Sequence, residues 1–519
     1  MTQKDLSITI FFSGFTTLGV ELAASRLLGN YFGTSNLVWA SIIGLILIYL
    51  TGGYFLGGAW ADRSPKYSTF YRILIWGSFL LGISAVISRP VLRLSANAFD
   101  ALQLGILLGS FASVIILFAA PIVLLGTASP FAIRLAITDA KTSGKISGRL
   151  YAISTLGSFV GTFIPTLLIT PLLGTYRTLL ILSGLMLIVS MAYLVKSTGW
   201  KPVIPFLWMP VIILVLFLYG LPGTDKTTPG LIYETESDYN YIQVIKQDEY
   251  VLLRLNEGQG IHSVYHPQID NYYGPWEQVL AAPFFTSPEV DPASIHSMAI
   301  VGLAAGTTAR QASHAFPKVM IDGIEIDPKI VSIGQNYFGM DLPNLKVIIE
   351  DGRWALRKSP NRYQVISLDA YRPPYIPAHL TTVEFFNEIR AHLTEDGVMT
   401  INVGHSPNDR RLIEILATTA SKVFPSIYIV DIPNTFNTMI YATSQPTKIE
   451  FLTENFLRLN ANPDTNGLIK HALQTAVQNL QPTPTQAQVF TDDHAPVEWI
   501  TNSIVINFLL SGDQLEYLK

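Results

Sequence analysis

Seven apolar runs follow one another in the first 221 residues, near 6–28, 36–60, 69–92, 103–128, 149–172, 176–196 and 203–221. Crossing the hydrocarbon core of a bilayer takes roughly 20 predominantly apolar residues in one helix. One such run would suit a buried helix of a soluble domain. Seven of them, separated by short polar joints such as Ala61–Lys66 and Thr138–Lys145, predict a multi-span α-helical membrane domain over 1–222. The first run carries Glu21 and Arg26 at its far end and lacks a small-residue cleavage site, which sets it apart from a removable signal peptide.

Small residues recur inside these runs, as in Gly52-Gly53, Gly57-Gly58 and Gly157 with Gly161, and such positions let membrane helices approach closely. Placing the amino terminus in the cytoplasm puts Arg63, Lys66, Arg72, Arg134, Lys141, Lys145, Arg149, Lys196 and Lys201 inside. Arg89, Arg93, Arg177 and Lys226 stay outside, in keeping with the positive-inside rule. Seven crossings would then leave the rest of the chain outside. The last run, interrupted by Pro202, Pro205 and Pro210, also suits a re-entrant or interfacial segment, and the count is open by one.

A net charge of −4 over 519 residues shows no basic excess and gives no electrostatic case for nucleic acid. Cysteine is absent, which excludes disulfides, thiolate metal sites and a cysteine nucleophile. From Leu221 to Pro229 the chain turns to linker composition, and a linker with a small β-rich lead-in is expected over 223–290, including a hairpin from Tyr241–Ile245 and Tyr250–Leu255. Over 291–519 a strand and helix rhythm follows, with strands at 297–302, 319–326, 346–349, 363–368 and 398–403. That alternation implies a mostly parallel, doubly wound α/β sheet.

Open α/β sheets bind ligands at the carboxyl ends of their strands, and acidic or small residues stand at four of these ends. The first strand ends in Gly302-Leu-Ala-Ala-Gly306, where small residues admit a nucleoside close to the backbone and the following helix offers free amides. The second ends in Glu325-Ile-Asp327, about twenty residues on, where an acid accepts hydrogen bonds from ribose hydroxyls. Glu325 is the expected ribose ligand, with Asp327 as alternative or helix cap. Glu350-Asp-Gly-Arg353 follows the third strand and places a carboxylate where an adenine amino group can donate to it. Asp369 ends the fourth, placed for general-base work on an attacking amine.

These residues resemble a known family. The segment from Tyr239 to about Gly404 resembles the polyamine aminopropyltransferases, the spermidine synthases, and in particular their membrane-fused relatives, whose first half resembles part of a major facilitator transporter. The strings that carry it are Gly14 through Glu21 to Arg26-Leu-Leu-Gly29, Gly57-Gly-Ala-Trp-Ala-Asp-Arg63, Asp369-Ala-Tyr371 with Ile376-Pro-Ala-His-Leu-Thr-Thr-Val-Glu-Phe385, and Thr491-Asp-Asp-His-Ala-Pro-Val-Glu498. The resemblance implies a Rossmann-like, class I methyltransferase-like domain. It implies an aminopropyl group moved from decarboxylated S-adenosylmethionine to an amine such as putrescine, giving spermidine and methylthioadenosine. By that resemblance Gln243, Gly302, Gly306, Glu325, Asp351, Gly352 and Pro377 hold the adenosyl co-substrate, and Asp369 accepts the proton. His262, Tyr273 and Tyr371 line the amine channel, and Asp492 and Asp493 add negative charge from the tail. No tightly bound cofactor and no metal is implied. The partners implied are a small-molecule amine, the adenosyl co-substrate and the lipid bilayer of the cell membrane, without nucleic acid, and a homo-oligomer is compatible.

Two positions depart from the family pattern. Ala305 stands where soluble spermidine synthases carry an aspartate in the first loop, and Arg372 where they carry a second aspartate three residues past the catalytic one. Both changes weaken the case for a diamine acceptor. The alternatives are S-adenosylmethionine-dependent methyl transfer and a transporter or sensor that binds a nucleoside without catalysis.

Overall fold

The computed structural model describes residues 1–32, 36–101, 105–137, 139–220, 226, 228–256, 260–371, 375–484 and 487–511. The chain divides into two compact units, Met1–Thr227 and Thr228–Lys519. The segment 221–229, read as a linker, lies largely outside the described residues.

Six helices of the first unit are long and apolar enough to cross a membrane: Gln3–Phe32, Val38–Arg63, Tyr67–Ser95, Gly109–Ala136, Ser143–Leu173 and Thr175–Thr198. At 1.5 Å per residue, the shortest of these is about 36 Å long, more than a hydrocarbon core requires. The first and fifth helices meet through glycine. A Cβ on Gly157 would stand 2.0 Å from the Phe11 carbonyl oxygen, one on Gly161 would stand 2.2 Å from that of Phe15, and one on Gly14 would stand 2.3 Å from that of Ser154. Backbone contact this close leaves room for hydrogen only, the means by which membrane helices pack without a hydrophobic driving force.

The seventh apolar run behaves differently. It forms a 3-10 turn at Ile204–Phe206 and then the 12-residue α-helix Trp208–Tyr219, about 18 Å long. Pro205 and Pro210 lack an N–H, so they are tolerated at a helix start but not in its interior. They stand where a long seventh helix would have needed donors, and the run is cut to less than a bilayer width.

The second unit begins with an antiparallel meander of β1 (Leu231–Glu236), β2 (Tyr241–Gln247), β3 (Tyr250–Leu255) and β4 (Ile261–Tyr265). The expected hairpin is β2 with β3. Eight further strands build a mixed sheet: β5 (Ser297–Val301), β6 (Met320–Glu325), β7 (Leu345–Ile349), β8 (Tyr363–Leu368), β9 (Leu393–Gly404), β10 (Ser426–Asp431), β11 (Asn437–Thr443) and β12 (Leu480–Gln481). Their order is β12-β10-β11-β9-β8-β5-β6-β7, with β5 to β9 parallel and β11 antiparallel to β9. The chain winds outward from β5 to β7 and then returns to the other side of β5 with β8, so the crevice between β5, β6 and β8 is the topological switch point.

Alternation along the strands feeds two cores. Ala299 and Val301 face one side with Phe385, Phe386, Leu412 and Leu416. Met298 and Ile300 face the other with Phe284, Phe285, Phe316 and Leu473. A sheet buried on both faces needs apolar residues on both, so its strands read as unbroken hydrophobic runs. The tail helix Val497–Ser511 adds Val497, Ile500 and Ile504 to the first core.

Candidate active site

The turn after β5 is forced by its backbone. Gly302 and Gly306 hold φ of 89° and 83°, and Ala304 holds 49°. Positive φ is open to glycine and costly for most other residues. Every amide from Gly302 to Gly306 is already occupied. Those of Gly302 and Leu303 donate to the Ile324 carbonyl at 3.0 Å each, and that of Gly306 donates to the Leu303 carbonyl at 3.0 Å. The Ala304 amide donates to Glu325 Oε2 at 2.9 Å and the Ala305 amide to Ser263 Oγ at 3.0 Å. The amides of the turn are therefore taken by acceptors on β4, on β6 and within the turn itself, while the free amides expected belong to the helix that follows, Thr307–Ala315.

Glu325 closes β6 with its carboxylate almost wholly buried. Oε1 accepts the Asp327 amide at 3.0 Å. Burial outweighs these donors and pushes its pKa from 4.5 to about 7. Asp327 caps the next helix by accepting the Lys329 amide at 2.9 Å, while its second oxygen accepts from Asn240 Nδ2 at 3.0 Å and from the Ser237 hydroxyl. Of the two alternatives for this strand end, Asp327 is the cap and Glu325 faces the turn of β5.

Asp351 begins the helix Gly352–Lys358, with Oδ1 accepting the amides of Arg353 and Trp354 at 3.1 Å each. Its other oxygen, Oδ2, lies 2.9 Å from His379 Nε2. A Cβ on Gly352 would stand 2.4 Å from Val301 Cγ1, so glycine seats this helix against the end of β5. Pro377 is half-buried, and its carbonyl accepts the Leu380 amide at 2.9 Å, opening the turn that carries His379.

Asp369 follows β8, its amide donating to the Val301 carbonyl at 2.9 Å. Asn402 Nδ2 donates to Asp369 Oδ1 at 3.0 Å. Burial pushes the Asp369 carboxyl up to about 6, against the opposing pull of that one donor. The Tyr371 hydroxyl donates to the Asn402 carbonyl at 2.9 Å and accepts the Gly404 amide at 2.9 Å. Tyr371 thus straps the Asp369 loop to β9, and its hydroxyl is committed there rather than facing an amine channel. Arg372 lies outside the described residues.

His262 sits at a β-bulge. Leu253 pairs with Ser263 and Arg254 with Ile261, which leaves His262 as the extra residue of β4. Burial pushes its imidazole down to about 4, and Nε2 is enclosed without a hydrogen-bond partner. Its neighbour Ser263 is the residue that takes the Ala305 amide, so the bulge lies directly against the β5 turn.

Four expected site residues are placed elsewhere. Gln243 is buried with its side-chain amide paired to Thr228, Nε2 donating to Thr228 Oγ1 at 3.0 Å. Its neighbours Ile242 and Val244 share a cluster with Ala305, and strand alternation turns Gln243 to the opposite face. Tyr273 is exposed and edge-on to His471 at 4.8 Å between ring centroids. Asp270, three residues earlier, meets His314 at 2.8 Å in the last turn of the helix Thr307–Ala315. That helix begins at the crevice and ends about 13 Å away, so the segment carrying Tyr273 is pinned to the far end.

Asp492 is held by Arg353, whose Nη1 and Nη2 donate to its two oxygens at 2.8 and 2.9 Å. That guanidinium holds the Asp492 carboxyl below the usual range. Asp492 is therefore neutralised instead of supplying free negative charge. Asp493 is exposed beside it.

Asn402, His379, Asn240 and Arg353 join this region although sequence reading did not select them. Each is a polar residue from another part of the chain, and the available signal for Asn402 was a polar side chain inside the apolar run Val398–Val403.

The fold and crevice define a class: a Rossmann-like α/β unit of methyltransferase type, with acidic residues at the ends of successive parallel strands. Residues 287–454 match the spermine/spermidine synthase domain, and the carboxyl-terminal unit carries that domain. A probable polyamine aminopropyl transferase from Bifidobacterium longum is 31% identical over 295 residues, covering 54% of this chain and 64% of the relative. A polyamine aminopropyltransferase from Vibrio vulnificus is 26% identical over 211 residues, covering 39% of this chain and 68% of the relative. The solved spermidine synthase from Thermotoga maritima aligns at 21% identity over 49% of this chain and 84% of its own, with a TM-score of 0.39. The chain thus spans 64% of the length of the first of these relatives.

Proposed function

We propose that the second unit transfers an aminopropyl group from decarboxylated S-adenosylmethionine to an amine, releasing methylthioadenosine. The observation that carries this reading is Asp369: a carboxylate in a strand-end crevice, raised to about 6 by burial, and therefore a base whose proton affinity lies near working pH. In the proposed step the neutral amine nitrogen attacks the methylene carbon beside the sulfonium. The carbon–sulfur bond breaks with its electron pair going to sulfur, and the new ammonium gives a proton to Asp369. Glu325 takes the ribose hydroxyls, Asp351 with Gly352 and Pro377 borders the adenine, Gly302 and Gly306 let the nucleoside approach the backbone, and His262 borders the amine side. The names of the matched relatives support the same chemistry.

The acceptor is left as an amine, with putrescine and hence spermidine formation one case of it. Methyl transfer is the second reading. It is favoured by Ala305 at the first loop and by a 27% identical stretch of 164 residues in a mouse eEF1A lysine and N-terminal methyltransferase.

The first unit is read as a multi-pass anchor in the cell membrane, with domains at 1–222, 223–290 and 291–519. Six crossings return the chain to the side on which it began. With the amino terminus inside, the second unit then lies in the cytoplasm, where adenosyl co-substrates are made. A helix of 12 residues at Trp208–Tyr219 suits an interfacial position in this scheme. Calorimetry on the detergent-purified chain with decarboxylated S-adenosylmethionine, S-adenosylmethionine and methylthioadenosine tests the reading. Preference for the first or third supports it, and preference for S-adenosylmethionine transfers it to methyl transfer.

A further inference from the structure

We infer that Asn402 is a positioning residue for Asp369: it aims the carboxylate into the crevice and favours its ionised form. The inference rests on the aminopropyl-transfer reading for its purpose, but the contact itself stands apart from that reading. Asn402 is on β9, the neighbour of β8, and only 6% exposed. Its Nδ2 donates to Asp369 Oδ1 at 3.0 Å, while its own Oδ1 is enclosed with no donor. A buried carbonyl without a partner is costly, and the cost has a reason here. Turning the amide over would set Oδ1 against the Asp369 carboxylate and remove the one side-chain donor recorded on it. The orientation is therefore fixed by Asp369, at the expense of Asn402.

The backbone reinforces this arrangement. The Tyr371 hydroxyl donates to the Asn402 carbonyl and accepts the Gly404 amide, so residues 369 to 371 are tied to 402 to 404 at both ends. Thr400, two residues earlier on the same face of β9, also has an enclosed hydroxyl with no partner. This face of the strand carries polar groups that packing alone does not call for. The titratable group of the described residues that bears on Asp369 is Tyr371, whose phenol burial pushes above its usual range. The Asp369 loop is further backed by Gly302, whose position admits no side chain. Among the described residues, Asn402 is thus the side chain that donates to the buried Asp369 carboxylate.

The test reads the titration of Asp369 without turnover. Thermal unfolding of the full chain in detergent would be followed from pH 4 to 9 for the parent, Asp369→Asn, Asn402→Leu and the double variant. The difference between the first two isolates Asp369, with an inflection near 6, and the difference between the last two repeats it without the donor. A donor to a charged group is worth about a tenfold change in proton affinity, so the second inflection is expected to rise by about one pH unit. An inflection at the same pH in both backgrounds overturns the inference. Asn402→Thr, which suits a strand but does not reach Asp369, serves if the leucine variant does not fold. Transfer to putrescine from decarboxylated S-adenosylmethionine is measured alongside. The variant should lose about fivefold in kcat/KM at pH 6 and recover towards pH 8.5, whereas a merely structural defect would lower the rate equally at every pH and count against the inference. If the parent transfers nothing, putrescine fails as the acceptor, and the unfolding cycle still decides Asn402.

Discussion

Gly302 and Asp369 meet through their backbones: a Cβ on Gly302 would stand 2.3 Å from the Asp369 carbonyl oxygen. The first and fourth loops of the sheet are thereby one object, and a side chain on one displaces the other. Gly302→Ala adds that overlap to a φ of 89°. The strain costs on the order of 1–3 kcal/mol. A fall in melting temperature and a loss of transfer of about a hundredfold are expected, measured by scanning calorimetry and initial rates; a variant with parental values would show that the loops move independently.

Asp369→Asn removes the proposed proton acceptor while keeping its shape. Transfer should drop by about 10²–10⁴ and methylthioadenosine affinity should change little. In the parent, activity needs the carboxylate, so kcat/KM should fall as pH drops through about 6. Substantial turnover by the variant would falsify the assignment.

Glu325 predicts a separate pH dependence. Ribose hydroxyls donate to a carboxylate better than to a carboxylic acid, so methylthioadenosine should bind about tenfold more tightly at pH 8 than at pH 6, across the value near 7 to which burial raises this group. Folding stability runs the other way. With a folded value above the ordinary 4.5, the group favours the folded state at low pH, and that contribution is lost as pH rises towards about 7. Calorimetry across this range checks the first claim, with Glu325→Gln expected to flatten the curve.

Arg353 joins the Asp351 turn to the tail. Besides its two bonds to Asp492, its Nε donates to Glu388 Oε1 at 3.1 Å and its Nη2 at 2.7 Å. Arg353→Ala removes the guanidinium that Asp492 and Glu388 share, leaves Glu388 to Arg357, and should cost about 1–3 kcal/mol. Denaturant unfolding reads the loss, and limited proteolysis should cut first near Thr491. Arg353→Lys should recover only part of it, since an ammonium lacks the guanidinium fork.

In the first unit, Gly157→Val would drive a side chain into the Phe11 backbone. Overpacking of this kind costs about 1–3 kcal/mol, so the melting temperature in detergent should fall. Gly58→Ala is the control, since nothing lies within 4 Å of a Cβ there.

The strand ends were legible because a parallel sheet forces them. Once β5, β6, β7 and β8 are read as buried runs, topology alone puts Gly302, Glu325, Asp351 and Asp369 near one edge. What escaped reading depends on which way a strand faces. Gln243 looks as suitable as its neighbours until alternation turns it to Thr228, and His262 reaches the β5 turn only through a bulge that no local pattern announces. Asn402, His379 and Arg353 act on residues 28 to 139 positions away, and nothing in local spacing encodes such pairs. The seventh apolar run shows the reverse case. Hydropathy alone counted it as a crossing, and its prolines set its length.

The fully occupied amides of the turn Gly302–Gly306 bear on which co-substrates this crevice can take. A dinucleotide or nucleoside triphosphate is held in such folds by bare N–H groups converging on its phosphates. Here the donors of residues 302 to 306 point at Ile324, Leu303, Glu325 and Ser263, so this stretch of backbone has no hydrogen left for a phosphate. On the aminopropyl-transfer reading, that suits a co-substrate whose charge is a sulfonium, which asks this turn for no such donors.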